Sequence, residues 1–113
     1  MTARILTVIG TRPEAVKMAP VIAELASQPG MESMVAATAQ HRHLLDQVLS
    51  VFNIQTDYDL DVMEEDQSPT DVLAQVLLRI EPVLHEFKPH WVLVQGDTTT
   101  VLATALAASY AHI

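Results

Sequence analysis

Two short segments put charged side chains directly behind apolar runs: Gly10-Thr11-Arg12, with Lys17 five residues further on, and Gly96-Asp97-Thr98. A cation at the start of a helix adds to the free N–H groups and positive dipole end found there, and the combination suits a bound anion such as a phosphate. A carboxylate at a strand end is suited to act as an acid, a base or a hydroxyl-binding group. Each residue also has a plainer role open to it. Arg12 would be solvated or paired with Glu14, and Lys17 would lie along the surface. Asp97, followed by three threonines, would cap a helix by accepting from the N–H of Thr99 or Thr100.

A third segment, "TAQHRHLLDQ" at 38–47, holds His41, Arg42 and His43. These would gather an anion, or Arg42 and Asp46 would form an i,i+4 surface pair beside exposed histidines. No H-x-x-x-H spacing occurs, His85 and His90 are isolated, and the acidic run "DLDVMEEDQ" lacks the glycine and later glutamate of an EF-hand loop. No metal site is expected, and the acidic run reads as a solvated loop. The first loop has one glycine, so neither the G-x-G-x-x-G fingerprint nor a P-loop is present, which disfavours a nicotinamide or ATP enzyme.

The elements that must position these residues follow from the pattern of apolar and breaker residues. Residues 5–9, a β-branched run ending at Gly10, form a strand buried on both faces of a parallel sheet. Pro13 suits the first position of the next helix, to about residue 27, with Val16, Pro20, Val21, Ala23 and Leu25 facing inward. Arg12, preceding a proline, is expected to stay outside the helical region with its side chain free to reach over the cleft. Residues 33–38 read as a second strand and 43–52 as a second helix. One short strand is expected near 58–60. The long pattern from Ser68 places Val72, Val76, Leu77, Ile80, Val83, Leu84 and Phe87 on one face, with Pro82 predicting a kink or two consecutive helices. Residues 91–95 form the last strand and an Ala-rich helix follows.

Strands alternating with helices define an α/β domain, a parallel sheet with helices on both faces. Ligands bind such sheets beyond the carboxyl ends of the strands where strand order reverses, between the first and fourth strands here. The Arg12 and Asp97 loops would meet at that point. The last helical pattern ends without a Gly, Asn or Pro stop signal, and no strand follows to cover the fourth, so the chain reads as the front of something longer.

Composition sets outer bounds. Half the 113 residues are apolar and 18% are charged, a composition able to bury a real core as one domain. Six Lys and Arg against fourteen Asp and Glu, a formal net charge of −8, cannot build the broad basic footprint that nucleic acid requires. Cysteine is absent, no apolar run is long enough to span a bilayer, and the first residues lack a signal-peptide pattern. A soluble, cytoplasmic protein with no nucleic-acid or membrane partner is expected.

Three segments, "GTRPEAVKMAP" at 10–20, "TAQHRHLLDQVL" at 38–49 and "VLVQGDTTTVLATALAA" at 92–108, resemble the N-terminal domain of the bacterial non-hydrolysing UDP-N-acetylglucosamine 2-epimerases. The resemblance covers the whole chain. It implies a Rossmann-like N-terminal domain, residues 1–113 and truncated, of a two-Rossmann-domain, glycosyltransferase-like architecture. It also implies interconversion of UDP-N-acetylglucosamine and UDP-N-acetylmannosamine in cell envelope polysaccharide biosynthesis, by elimination of UDP and its re-addition, with no cofactor or metal. By the same resemblance Arg12 and Lys17 bind substrate, and Asp97 of the G-D-T-T motif takes part in catalysis. Two glutamates and a histidine of the family would lie beyond Ile113, leaving this chain inactive alone. Gln40, His41 and Arg42 match a segment that in some members holds a second, activating UDP-N-acetylglucosamine. His43 stands where some members have Gln, Asp66 where an arginine aids that second site, and Gln95 where many have His. The full-length parent would be a homodimer. The alternatives are a hydrolysing epimerase, a glycosyltransferase of the same fold, and a non-catalytic nucleotide-binding module.

Overall fold

The structure is a computed structural model and describes residues 2–39 and 42–113. These residues form β1 (Ala3–Ile9), α1 (Arg12–Ser27), β2 (Met31–Ala37), α2 (Arg42–Val51), β3 (Tyr58–Asp59), α3 (Pro69–Phe87), β4 (Trp91–Leu93) and α4 (Thr99–Tyr110). The strands are all parallel, in the order β3-β2-β1-β4. Chain order therefore reverses between β1 and β4, the expected switch point.

The two faces of the sheet are told apart by alternate residues. Leu6, Val8 and Ala36 pack with Val76, Ile80 and Phe87 of α3 and Ala103 of α4. Ile9, Val35 and Ala37 pack instead with Ala15, Met18 and Ile22 of α1 and Leu45 and Val48 of α2. Because side chains alternate across a strand, a largely apolar run such as 5–9 feeds both layers at once.

Four expectations are corrected. In α1 the buried residues are Glu14, Ala15, Met18, Ala19 and Ile22, while Val16 and Val21 are 45% and 38% exposed. Ala15, Met18, Ala19 and Ile22 form the apolar stripe at i, i+3, i+4 and i+7, and Glu14 lies beside it, four residues before Met18. Second, Arg12 opens α1 rather than standing outside it, because Thr11 is the extended N-cap at φ −130°, ψ 164°. Pro13 is still in the first turn, where its missing N–H leaves no bond unmade. Third, α3 runs unbroken past Pro82. The alternative of two consecutive helices is thus excluded; the proline is exposed, so the carbonyl it leaves unpaired can face water. Fourth, α4 does stop within the chain: His112 takes a left-handed φ of 60° and the Ile113 N–H bonds the Ala108 carbonyl at 2.9 Å, a C-cap made without glycine.

β4 is shorter than its apolar run. After Thr7↔Leu93 the chain leaves β1 and turns toward α4, although Val94 still packs on the core. The strand lies at the sheet's edge with Trp91 exposed. Among the described residues no helix is long and apolar enough to cross a membrane.

Candidate functional site

The three loops leaving the carboxyl ends of β1, β2 and β4 converge. Gly10, buried at the end of β1, has the hydroxyls of Thr38 and Thr100 against it, and those hydroxyls lie 3.0 Å apart in a mutual hydrogen bond. Thr38 is held in turn by its N–H, which donates to the Ile9 carbonyl at 2.9 Å.

Glu14 ties the first loop to the third. The residue is 2% exposed. Its Oε1 accepts from the N–H of Gly10 at 2.7 Å and of Thr11 at 3.0 Å, and its Oε2 accepts from the Thr98 hydroxyl. The plain pairing with Arg12 is thereby excluded, since Glu14 is turned into the protein. Sequence reasoning considered Glu14 only as that surface partner. The signal that could have found it is the T-x-x-E spacing of Thr11 and Glu14, in which a glutamate in the first turn reaches back to the N–H ahead of a helix.

The cap of α4 is Thr98, not Asp97: the Thr98 hydroxyl accepts from the Val101 N–H at 3.4 Å. Asp97 is therefore free of the structural duty its position suggested. It is exposed, behind Gly96 at φ +102°, a backbone state that favours glycine. Arg12 and Lys17 are exposed as well, and among the described residues none of these three side chains makes a hydrogen bond or ion pair. Arg12 and Asp97 adjoin Thr11 and Thr98, which with Gly10 donate to the Glu14 carboxylate, so one hydrogen-bonded junction carries both.

Of the Gln40, His41 and Arg42 group, Gln40 and His41 lie outside the described residues. Arg42 bonds Asp59 at 2.6 Å and Asp61 at 2.9 Å, with Asp46 at 3.7 Å, and the Asp59 hydrogen bond, opposed by partial burial and aided by Asp61, raises its pKa above the ordinary value. The expected Asp46 pair is present but is the longest of the three. Asp59 and Asp61 come from the run read as a solvated loop, and Arg79 donates to the Leu60 and Asp61 carbonyls of the same run at 2.6 Å. Arg42→Ala should cost about 1 kcal/mol of stability at low salt and clearly less at high salt, since these are partly exposed pairs; urea unfolding at the two salt concentrations measures both values. Among the described residues no group of three or more His, Asp or Glu side chains is placed to hold a metal ion.

Fold and site together define a Rossmann-like α/β domain whose β1–α1 and β4–α4 junctions, on either side of the switch point, carry Arg12 and Asp97, both exposed and without an ion pair among the described residues. A family model described as UDP-N-acetylglucosamine 2-epimerase matches residues 23–113. The chain is 54% identical over 110 residues to the UDP-N-acetylglucosamine 2-epimerase of Escherichia coli K12, an alignment covering 97% of this chain and 29% of that protein. Two solved structures superpose with a TM-score of 0.90. One is the Neisseria meningitidis UDP-GlcNAc 2-epimerase bound to UDP-GlcNAc, 53% identical, with 97% of this chain and 30% of that one covered. The other is the Methanocaldococcus jannaschii enzyme in complex with UDP-GlcNAc and UDP, 33% identical, with the same coverage. This chain belongs to the UDP-N-acetylglucosamine 2-epimerase family, and it spans about 30% of the length of the relatives it matches.

Proposed function

We propose that residues 1–113 are the N-terminal Rossmann-like domain of a full-length non-hydrolysing UDP-N-acetylglucosamine 2-epimerase, with the remaining catalytic groups on a part of the protein outside this chain. The observation that carries this reading is the set of unpartnered ionic side chains at the switch point. In it Arg12 and Lys17 hold the diphosphate, whose charge grows as UDP leaves, and electrostatic stabilisation of that charge supports the elimination. Asp97 acts on a proton of the sugar. Re-addition of UDP after protonation on the opposite face completes the change at C2. Neither metal nor cofactor is required, because carboxylate chemistry and a stabilised leaving group suffice.

The test is NMR of the full-length protein with UDP-N-acetylglucosamine in D2O. UDP-N-acetylmannosamine should accumulate with deuterium at C2. Absence of both overturns the reading, and free UDP released in step with free N-acetylmannosamine assigns the protein to the hydrolysing type. Arg12→Ala should raise KM for the nucleotide sugar about 10- to 100-fold, the equivalent of one charge-assisted contact to phosphate. Steady-state kinetics measure the change, and an unaltered KM would remove Arg12 from the site.

Gln40, His41 and Arg42 form a second proposed site, for an activating UDP-N-acetylglucosamine. There Arg42 would have to exchange Asp59 and Asp61 for a diphosphate.

A further inference from the structure

We propose that Glu14 is a positioning residue which clamps the β1–α1 loop to the β4–α4 loop and thereby fixes where Asp97 stands; the inference rests on the epimerase reading above. Glutamate in the first turn of a helix ordinarily caps from the surface, where its charge costs little. Glu14 is buried, and a buried carboxylate is strongly unfavourable unless its oxygens are matched by donors. The donors here come from two strands' loops: Gly10 and Thr11 from one, Thr98 from the other. Gly10 and Thr11 precede the helix, so their N–H groups have no partner within it.

The second loop needs such an anchor. Gly96 has a left-handed φ, and a Cβ built on it would meet nothing within 4 Å, so no neighbouring group packs against that side of Gly96. On the other side stands Thr98, whose hydroxyl donates to Glu14 and accepts from Val101. Asp97 is thus a residue between a left-handed glycine and a doubly bonded threonine, and the Glu14 bond is what joins that threonine to the Arg12 loop. Misplacement of a reacting group by about 1 Å can cost on the order of 100-fold in rate, so loss of the clamp should fall on kcat.

Thr98→Val in the full-length protein removes the hydroxyl while keeping the shape. It should lower kcat about 30-fold with KM within about threefold, and Thr98→Ser should restore kcat. Glu14→Gln should lower kcat as well, and the double variant should be no slower than the slower single one, because both remove one clamp. The result is overturned if Thr98→Val keeps kcat within twofold of wild type, or if the two effects multiply. Should the wild type show no epimerisation, the function falls but the clamp is still read in amide NMR. Thr98→Val then shifts the Gly10 and Thr11 N–H resonances in the other loop if Glu14 bridges the two, and unshifted resonances refute the bridge.

Discussion

Asp97→Asn should lower kcat of the full-length protein by about 100- to 10,000-fold, the range general acid–base groups contribute, while KM and thermal stability stay near those of the wild type. The expectation combines the proposed proton-handling role with the finding that Asp97 has no structural task. It caps no helix, since Thr98 does that, and it is exposed without a partner among the described residues. Asparagine keeps the size and the glycine-hinged backbone and removes the base. A loss confined to kcat is therefore the signature of chemistry, whereas a rise in KM with kcat retained would show that Asp97 only holds a substrate hydroxyl. Deuterium incorporation at C2 sharpens the comparison: if Asp97 moves the C2 proton, exchange with solvent falls in parallel with turnover.

The layout of the fold was legible because it depends on signals that survive in a single sequence. β1 and β4 appear as apolar runs ended by Gly10 and Gly96, α3 as a 3.6-residue stripe ending at Phe87, and their alternation implies the parallel sheet and its switch point. What went unread depends on polar groups whose partners lie elsewhere in the fold. Glu14 counts as a surface residue in any hydropathy pattern, yet it is buried and joins two loops. Thr38 and Thr100 are 62 residues apart, and nothing local in either segment announces that their hydroxyls meet over Gly10. Asp59 and Asp61 are exposed, as a solvated run requires, but nothing near them announces their pairing with Arg42, which belongs to a different element. Arg12, Lys17 and Asp97 stand out by type and spacing, and the structure removes two of their plainer roles, the Arg12–Glu14 pair by turning Glu14 inward and the Asp97 cap by giving α4 to Thr98.

Gly10→Ala should destabilise the domain by about 3 kcal/mol, at the upper end of what overpacking a filled core costs. Flexibility is not the reason, since Gly10 is absent from the positive-φ residues. The reason is space. An added Cβ would lie well under 3.0 Å from the hydroxyl oxygens of both Thr38 and Thr100 and 3.1 Å from the Thr100 Cβ. Neither threonine can swing aside cheaply: both are fully buried, both are stiff at χ1, and turning one breaks their shared hydrogen bond. The backbone would have to move instead, and with it the Gly10 N–H that donates to Glu14. Urea unfolding followed by circular dichroism measures the loss, and its origin can be isolated by repeating Gly10→Ala in a Thr38→Ala background. There one of the two obstructing hydroxyls is gone, so the alanine should cost at least 1 kcal/mol less than in the wild type, a coupling typical of residues in contact. Equal costs in the two backgrounds would mean that the alanine acts through the loop backbone and not through the threonine pair. In that event kcat should fall even where stability is retained, because the Gly10 N–H lies on the Glu14 junction beside Arg12.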